Sequence, residues 1–357
     1  MASKLPLLDI SKYYSNRPIF VEELRRACHT VGFFLLRHRL PDGLAETMLD
    51  ESREFFSRPR HEKMKIFYGD CPSFRGYMPL GVENTRGQTD MREQVEYSAE
   101  YPNEGRRWPL YERLQSKRNP WPDSFQPNLR ISTLDYAAEA CTVGDCIRDA
   151  LCIALAGSDE GPSLLSSQFA PNQEKNELPH WAMKLISYPP HSSQQQRQGV
   201  GAHTDSNFLT LVLQDTVGGL QVYCGHDTQW IDVPTHHGSS VWVCNLGEQA
   251  ETWSRGYFRA TPHRVLGNTS SHRRSTRISV PFFYNPNLSA TMEPVEEIHA
   301  PWEREDADAS WKPPGPNVML TRVGDNTFKS LARSHPDVFA KHHGDLRVLR
   351  DGRIVAK

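Results

Sequence analysis

The sequence predicts an α+β protein with a mainly β core, supported by helices from its N-terminal region and by a helix near its C-terminus. Two patterns predict it. From Trp181 onward, short strand-like runs follow at close intervals, over residues 183–188, 208–214, 220–223, 230–233, 240–246, 262–266 and 276–284. Pro189-Pro190, Val217-Gly218-Gly219, His237-Gly238 and Arg255-Gly256 punctuate them, as in an antiparallel sandwich or barrel. Ahead of these runs, apolar residues recur at helical spacing, most persistently over 129–156, and a helix that long commonly supports a sheet from outside.

Taken in order, residues 5–10 form a short apolar strand. Over 19–30, Ile19, Phe20, Leu24 and Ala27-Cys28 share a helical face, and Gly32 ends that helix. Phe33-Phe34-Leu35-Leu36 reads as a buried strand. The helix after Pro41-Asp42 carries Leu44, Met48, Leu49, Phe55 and Phe56 on one face until Pro59 stops it. A short helix over 60–66 leads into FRGYMPLGVENTRGQTD, where Gly76, Gly81 and Gly87 mark a long loop of the kind that lines sites. Residues 101–125, rich in Pro, Trp and charge, read as irregular. The long helix turns Leu134, Ala137, Cys141, Leu151 and Leu155 inward, with a bend expected at Gly144. After Asn285 the chain is Pro- and acid-rich until a helix at 326–333. The expected organisation is a mixed α/β region over 1–125, supporting helices over 126–180, a β core over 181–290 and a C-terminal extension over 291–357.

Composition excludes several function classes. At 357 residues the chain can bury a large core, as one large domain or two closely packed ones. Its formal charge is −2 with both signs mixed, and the densest basic cluster, His272-Arg273-Arg274 with Arg277, is local, which argues against nucleic acid. Apolar runs such as 33–36 fall far short of a membrane span, and Asp9 interrupts MASKLPLLDIS before a signal-peptide core forms. Seven cysteines without a CxxC pair read as small buried thiols in a reducing, cytoplasmic setting. The expected partner is a small molecule, and nothing in the sequence sets an oligomeric state, a monomer included.

Chemistry concentrates in GAHTDSNFLTLVLQDTVGGLQVY, residues 201–223. His203 and Asp205, two apart on an expected strand, point to one side and could share a metal ion. His263 in TPHRV is the candidate third ligand. Two imidazoles and a carboxylate on one face of a metal leave positions open, the arrangement of non-haem Fe(II) oxygenases. Arg277 and Ser279 share the face of another strand and could hold the far carboxylate of a dicarboxylate cosubstrate, with Tyr188 as a third donor. His38, His180, His191, His226 and His299 read as structural, His236-His237 as solvated, and Trp181, Trp230 and Trp242 as core.

The motifs SYPP, HTD, LTLVLQDTVGGLQV, WIDV, NLGE, TPHRV and RISVPFFYNP resemble the isopenicillin N synthase-like branch of the 2-oxoglutarate- and Fe(II)-dependent dioxygenases. VGFFLLRH and REFFSRPRHEKMKI resemble that family's N-terminal region, so the resemblance spans most of the chain. It implies a double-stranded β-helix (jelly roll), Fe(II) on His203, Asp205 and His263, and 2-oxoglutarate on Arg277, Ser279 and Tyr188. With O2 as the second cosubstrate, it implies hydroxylation, desaturation or rearrangement at an unactivated C–H bond of a small molecule, releasing succinate and CO2.

WPDSF, GVGAHTD and FKSLARSHPD are similar to the ethylene-forming enzyme subgroup. That similarity points to Glu83, Asn84 and Thr85 in one loop and Arg333 on the last helix as substrate contacts, with Phe283 a further wall residue. There are departures. Ser206 replaces that subgroup's aromatic residue, Ile186 the common Asn and Glu248 the usual Asp, while Arg273-Arg274-Ser275 competes with Arg277-Ile278-Ser279 as the anchor. Two rivals remain at this point: an isopenicillin N synthase-type oxidase that does not consume 2-oxoglutarate, and a non-catalytic barrel that binds a small molecule or senses iron or oxygen.

Overall fold

The computed structural model describes residues 5–100, 110–115, 117–171, 179–190, 198–224, 229–235, 238–267, 275–300 and 319–357. The first part runs β1 (Leu7–Asp9), α1 (Ser11–Ser15), α2 (Arg17–Thr30), β2 (Phe33–Arg37), α3 (Leu44–Ser57) and α4 (Arg60–Lys63). Then come β3 (Gly76–Met78), β4 (Asn84–Thr85), β5 (Gln88–Thr89), β6 (Glu93–Ser98) and the 30-residue helix α5 (Pro127–Ala156). After α6 (Ser166–Phe169) follow β7 (Trp181–Tyr188), β8 (Gln198–His203), β9 (Leu209–Gln214), β10 (Leu220–Cys224), β11 (Gln229–Asp232) and β12 (Val241–Leu246). The remainder is α7 (Glu248–Trp253), β13 (His263–Leu266), β14 (Arg277–Tyr284), α8 (Val323–Ser334), α9 (Pro336–His342) and the hairpin β15 (Leu346–Val348) with β16 (Ile354–Ala356).

Alternation along the strands dictates how these elements stack. On β14, Ile278, Val280, Phe282 and Tyr284 join a core with Leu209, Leu211 and Leu213 of β9 and with Trp242, Cys244 and Leu246 of β12. That face is covered by α3 and α5, with α2 packed on α5. The alternate residues Arg277, Ser279, Pro281 and Phe283 turn to the opposite face. There Phe33, Leu35, Ile186, Val200, Val222, Val243 and Val265 form a second core between two sheets. Strands buried on both faces read as almost unbroken apolar runs, which is why this region was legible. The larger sheet has the order β1-β2-β12-β9-β14-β7-β6-β3 and the smaller β11-β10-β13-β8. Among these strands only the β1–β2 pairing is parallel. This is the double-stranded β-helix, with α2, α3 and α5 on the outer side of its larger sheet.

Some local expectations are corrected. FRGYMPLGVENTRGQTD is not all loop: β3 pairs with β6, and residues 84–89 form a tight hairpin whose turn residues Arg86 and Gly87 have φ of 54° and 80°. Strand β6, EQVEYS, was hidden by its polar residues, of which Glu96 faces the cavity between the sheets. Leu134 on helix α5 is 36% exposed, not inward. Trp230 is half-buried, 4.2 Å beneath the Arg264 guanidinium, not core. Gly32 does end α2, at φ +73°, where a Cβ would lie 2.2 Å from the Arg259 carbonyl oxygen. All seven cysteines are free. Arg273, Arg274, His191, His226, His236 and His237 lie outside the described residues. No described helix is long and apolar enough to cross a membrane.

Candidate metal centre and cavity

Strand β8 ends at His203, and the chain leaves the sheet before β9 begins. Asp205 therefore lies in the connection between the two strands, not beside His203 on a strand as expected. The connection is fixed by the Glu248 N–H, which donates to the Asp205 carbonyl at 2.7 Å, and by the Thr204 hydroxyl, which donates to Glu248 Oε1 at 2.6 Å. His263 opens β13 directly opposite His203 in the ladder. The hairpin over 84–89 lies against β8 and requires Gly201, where a Cβ would come within 2.7 Å of Thr85 Cγ2. Fully buried Asp90 clamps it, accepting from the Thr85 hydroxyl (2.8 Å), Gln198 Nε2 (3.0 Å) and the Gly201 N–H (3.3 Å).

One ligand atom each from His203, Asp205 and His263 lies within 4.8 Å of the others, the one such group of His, Cys or acid residues among the described residues. Both Nε2 atoms stand 3.6 Å from Asp205 Oδ1. The outward nitrogens explain that orientation. His203 Nδ1 faces the Gly201 carbonyl at 2.8 Å and His263 Nδ1 the Thr261 carbonyl at 3.2 Å. A carbonyl only accepts, so each Nδ1 carries the proton and each Nε2 turns a lone pair inward. Asp205 Oδ2 is taken by the Thr210 hydroxyl (2.6 Å) and Asn245 Nδ2 (2.8 Å), which leaves Oδ1 for an ion.

Electrostatics keep the set ready. Burial, with His203 alongside, drives the His263 pKa down to about 4, so its imidazole is neutral at pH 7. Burial pushes the Asp205 carboxyl up, but His263, His203 and Asn245 outweigh it and hold the group ionised, below the usual carboxylate range. A neutral His263 and an ionised Asp205 are in the protonation states that binding a divalent cation requires. Asn245→Leu, which removes one donor to Oδ2 at similar volume, is expected to weaken Fe(II) affinity about tenfold, read by anaerobic competition with a chelator.

Farther along the cavity, Arg277 on β14 pairs across the ladder with Tyr188 on β7. Its guanidinium is buried, 4.9 Å over the Tyr188 ring, and donates to Ser279 Oγ (3.1 Å) and Gln214 Oε1 (3.2 Å). These partners are neutral, and Nε has no acceptor at all among the described residues. A buried cation facing a cavity with no counter-ion among the described residues fits a ligand carboxylate.

The cavity between these ends measures ≈ 390 Å³. Of the residues singled out for substrate contact, Glu83, Asn84, Thr85 and Phe283 line it and Arg333 does not. Helix α8 instead presents Thr327, Ser330, Leu331 and Ser334, one helical face from which Arg333 is turned away. Glu83 is engaged by Arg92 (3.2 Å), Gln94 (3.4 Å) and His335 (3.5 Å), and Thr85 gives its hydroxyl to Asp90. His180, buried as a structural histidine would be, lines the cavity as well. Sequence reasoning missed Thr210, Asn245, Arg92, Glu96 and Lys184. Strand alternation could have found two of them, since Lys184 shares a face with Ile186 and Tyr188, and Asn245 with Val243.

Residues 5–124 match the family described as the non-haem dioxygenase in morphine synthesis N-terminal, and residues 179–286 the 2OG-Fe(II) oxygenase superfamily. The homoarginine-6-hydroxylase 2-ODD-C23 of Glycine max is 31% identical, over 82% of this chain and 89% of that protein. The 2-oxoglutarate-dependent dioxygenase frbJ of Dothideomycetidae sp. (strain 11243) is 30% identical, over 94% of this chain and 91% of its own. Among solved structures, a 2OG-Fe(II) oxygenase family protein from Caulobacter crescentus superposes with a TM-score of 0.68 at 24% identity, covering 82% of this chain and 90% of that one, a likeness of fold. The chain belongs to the 2OG-Fe(II) oxygenase superfamily and is a 2-oxoglutarate- and Fe(II)-dependent dioxygenase, as its motifs led one to expect.

Proposed function

We propose that His203, Asp205 and His263 hold the Fe(II), that Arg277, Ser279 and Tyr188 hold the far carboxylate of 2-oxoglutarate, and that a small-molecule substrate occupies the rest of the cavity. When bound, the metal with its cosubstrates supplies the oxidising power that an unactivated C–H bond demands. The chain's residues do the rest. Thr210 and Asn245 aim the Asp205 carboxylate, and the Gly201 and Thr261 carbonyls fix the imidazole tautomers. Phe33, Val200, Val212 and Val265 line the cavity with apolar surface that excludes water. The observation that carries this reading is the buried Arg277 guanidinium with an unfilled Nε and only neutral partners.

Homoarginine, the substrate for which the Glycine max relative is named, is a small molecule, which supports a substrate of that size here. A cytoplasmic location remains part of this reading. The test is release of labelled CO2 from carboxyl-labelled 2-oxoglutarate by the Fe(II)-loaded protein, in step with succinate. Iron retention with no CO2 release during substrate oxidation would instead favour an oxidase that does not consume 2-oxoglutarate.

A further inference from the structure

The cavity holds a charged pair that neither the metal end nor the cosubstrate end uses. Lys184 on β7 stands opposite Glu96 on β6, and both side chains line the cavity. Lys184 Nζ lies 3.3 Å from Glu96 Oε2, close enough for attraction but not aligned as a hydrogen bond, because Oε2 has no donor among the described residues. Glu96 is only 7% exposed. A buried carboxylate oxygen without a donor is costly, typically about 1–3 kcal/mol or more for a charged group, and calls for a partner. The nearby acid, Glu83, is already engaged by Arg92, Gln94 and His335.

The position of the pair matters as much as its chemistry. In the ladder Lys184 is two residues from Ile186, the partner of Ser279, and two from Ala182, whose row continues through Phe283 to Thr210. At about 4.8 Å between strands and about 6.6 Å per two residues, the Lys184 backbone lies about 12 Å from that of Thr210, which holds Asp205. A ligand of amino-acid size anchored at Lys184 would extend toward the metal centre.

We propose that Lys184 and Glu96 receive the carboxylate and ammonium, respectively, of a zwitterionic substrate, an α-amino acid headgroup. Standard bond lengths place the nitrogen and oxygens of such a headgroup about 3 Å apart, matching the spacing of the pair. Carboxylate meets Lys184, ammonium meets Glu96, and the two charges of each partner alternate around a closed ring. The inference rests on the cavity being the substrate site.

The experiment is anaerobic calorimetry on the Fe(II)-loaded protein, first with 2-oxoglutarate and then with the twenty protein amino acids. Each amino acid that binds is re-measured as its N-acetyl and its methyl-ester derivative. The expected result is at least one binder that loses about tenfold or more in affinity on masking either charge, as for a charge-assisted hydrogen bond. Glu96→Gln should narrow the N-acetyl penalty and Lys184→Met the ester penalty, each leaving the other in place. If the wild type does not bind 2-oxoglutarate, the reading of the cavity itself fails. If 2-oxoglutarate binds but no amino acid does, or masked forms bind equally well, or both penalties survive in both variants, the pair is an internal ion pair only and the proposal is overturned.

Discussion

His263→Ala is expected to lose bound Fe(II) and succinate release together. His263 is one of the three proposed donors, and its Nε2 is held at 3.6 Å from Asp205 Oδ1 by the Thr261 carbonyl behind it. Two donors remain in the variant, and Asp205 keeps a buried charge with less to balance it. Iron content after gel filtration in the presence of a weak chelator, and succinate by chromatography, should both fall to background. The ring also packs edge-on against Phe33 at 5.2 Å, so a melting curve must accompany the measurement. Full activity in a folded variant would remove the triad.

Arg277→Ala is expected to weaken 2-oxoglutarate binding by about ten- to a hundredfold while iron is retained. Charge-assisted hydrogen bonds contribute roughly 1.5–3 kcal/mol each, and that range translates into those factors. Arg277→Lys should recover only part, because an ammonium keeps the charge but not the planar fork of donors. Arg273→Ala should leave the affinity where it was. Titration of the Fe(II) protein with 2-oxoglutarate under argon reads all three, and the reverse ranking of the two alanine variants would mean that the anchor has been misassigned.

The outer and inner faces of β9, β12 and β14 were legible because burial on both sides left apolar residues at almost every position. The closeness of His203, Asp205 and His263 was legible by residue type and motif, although Asp205 lies beyond the end of β8 and strand periodicity does not place it. Strands β3 and β6 escaped notice because glycine and inward-facing polar side chains broke the expected pattern. Those same side chains, Glu96 among them, furnish the cavity, so the residues hardest to read as structure were the ones that give the site its character. Lys184 shows the converse, a charge inside a buried strand that signals a cavity once its neighbours Ile186 and Tyr188 are placed on the same face.

The residues proposed to hold the metal lie on the smaller sheet and in the connection that leaves it, whereas Thr210, Asn245 and Phe33, which aim or brace them, belong to the larger. A nascent or partly collapsed polypeptide thus offers two distant imidazoles and an unaimed acid, poor competition for the cell's other iron binders. On the proposed assignment, capture of the ion is a late event, a rivet set only when both halves of the sandwich have closed, and its loss is expected to loosen the seam between them before it disturbs the helices outside.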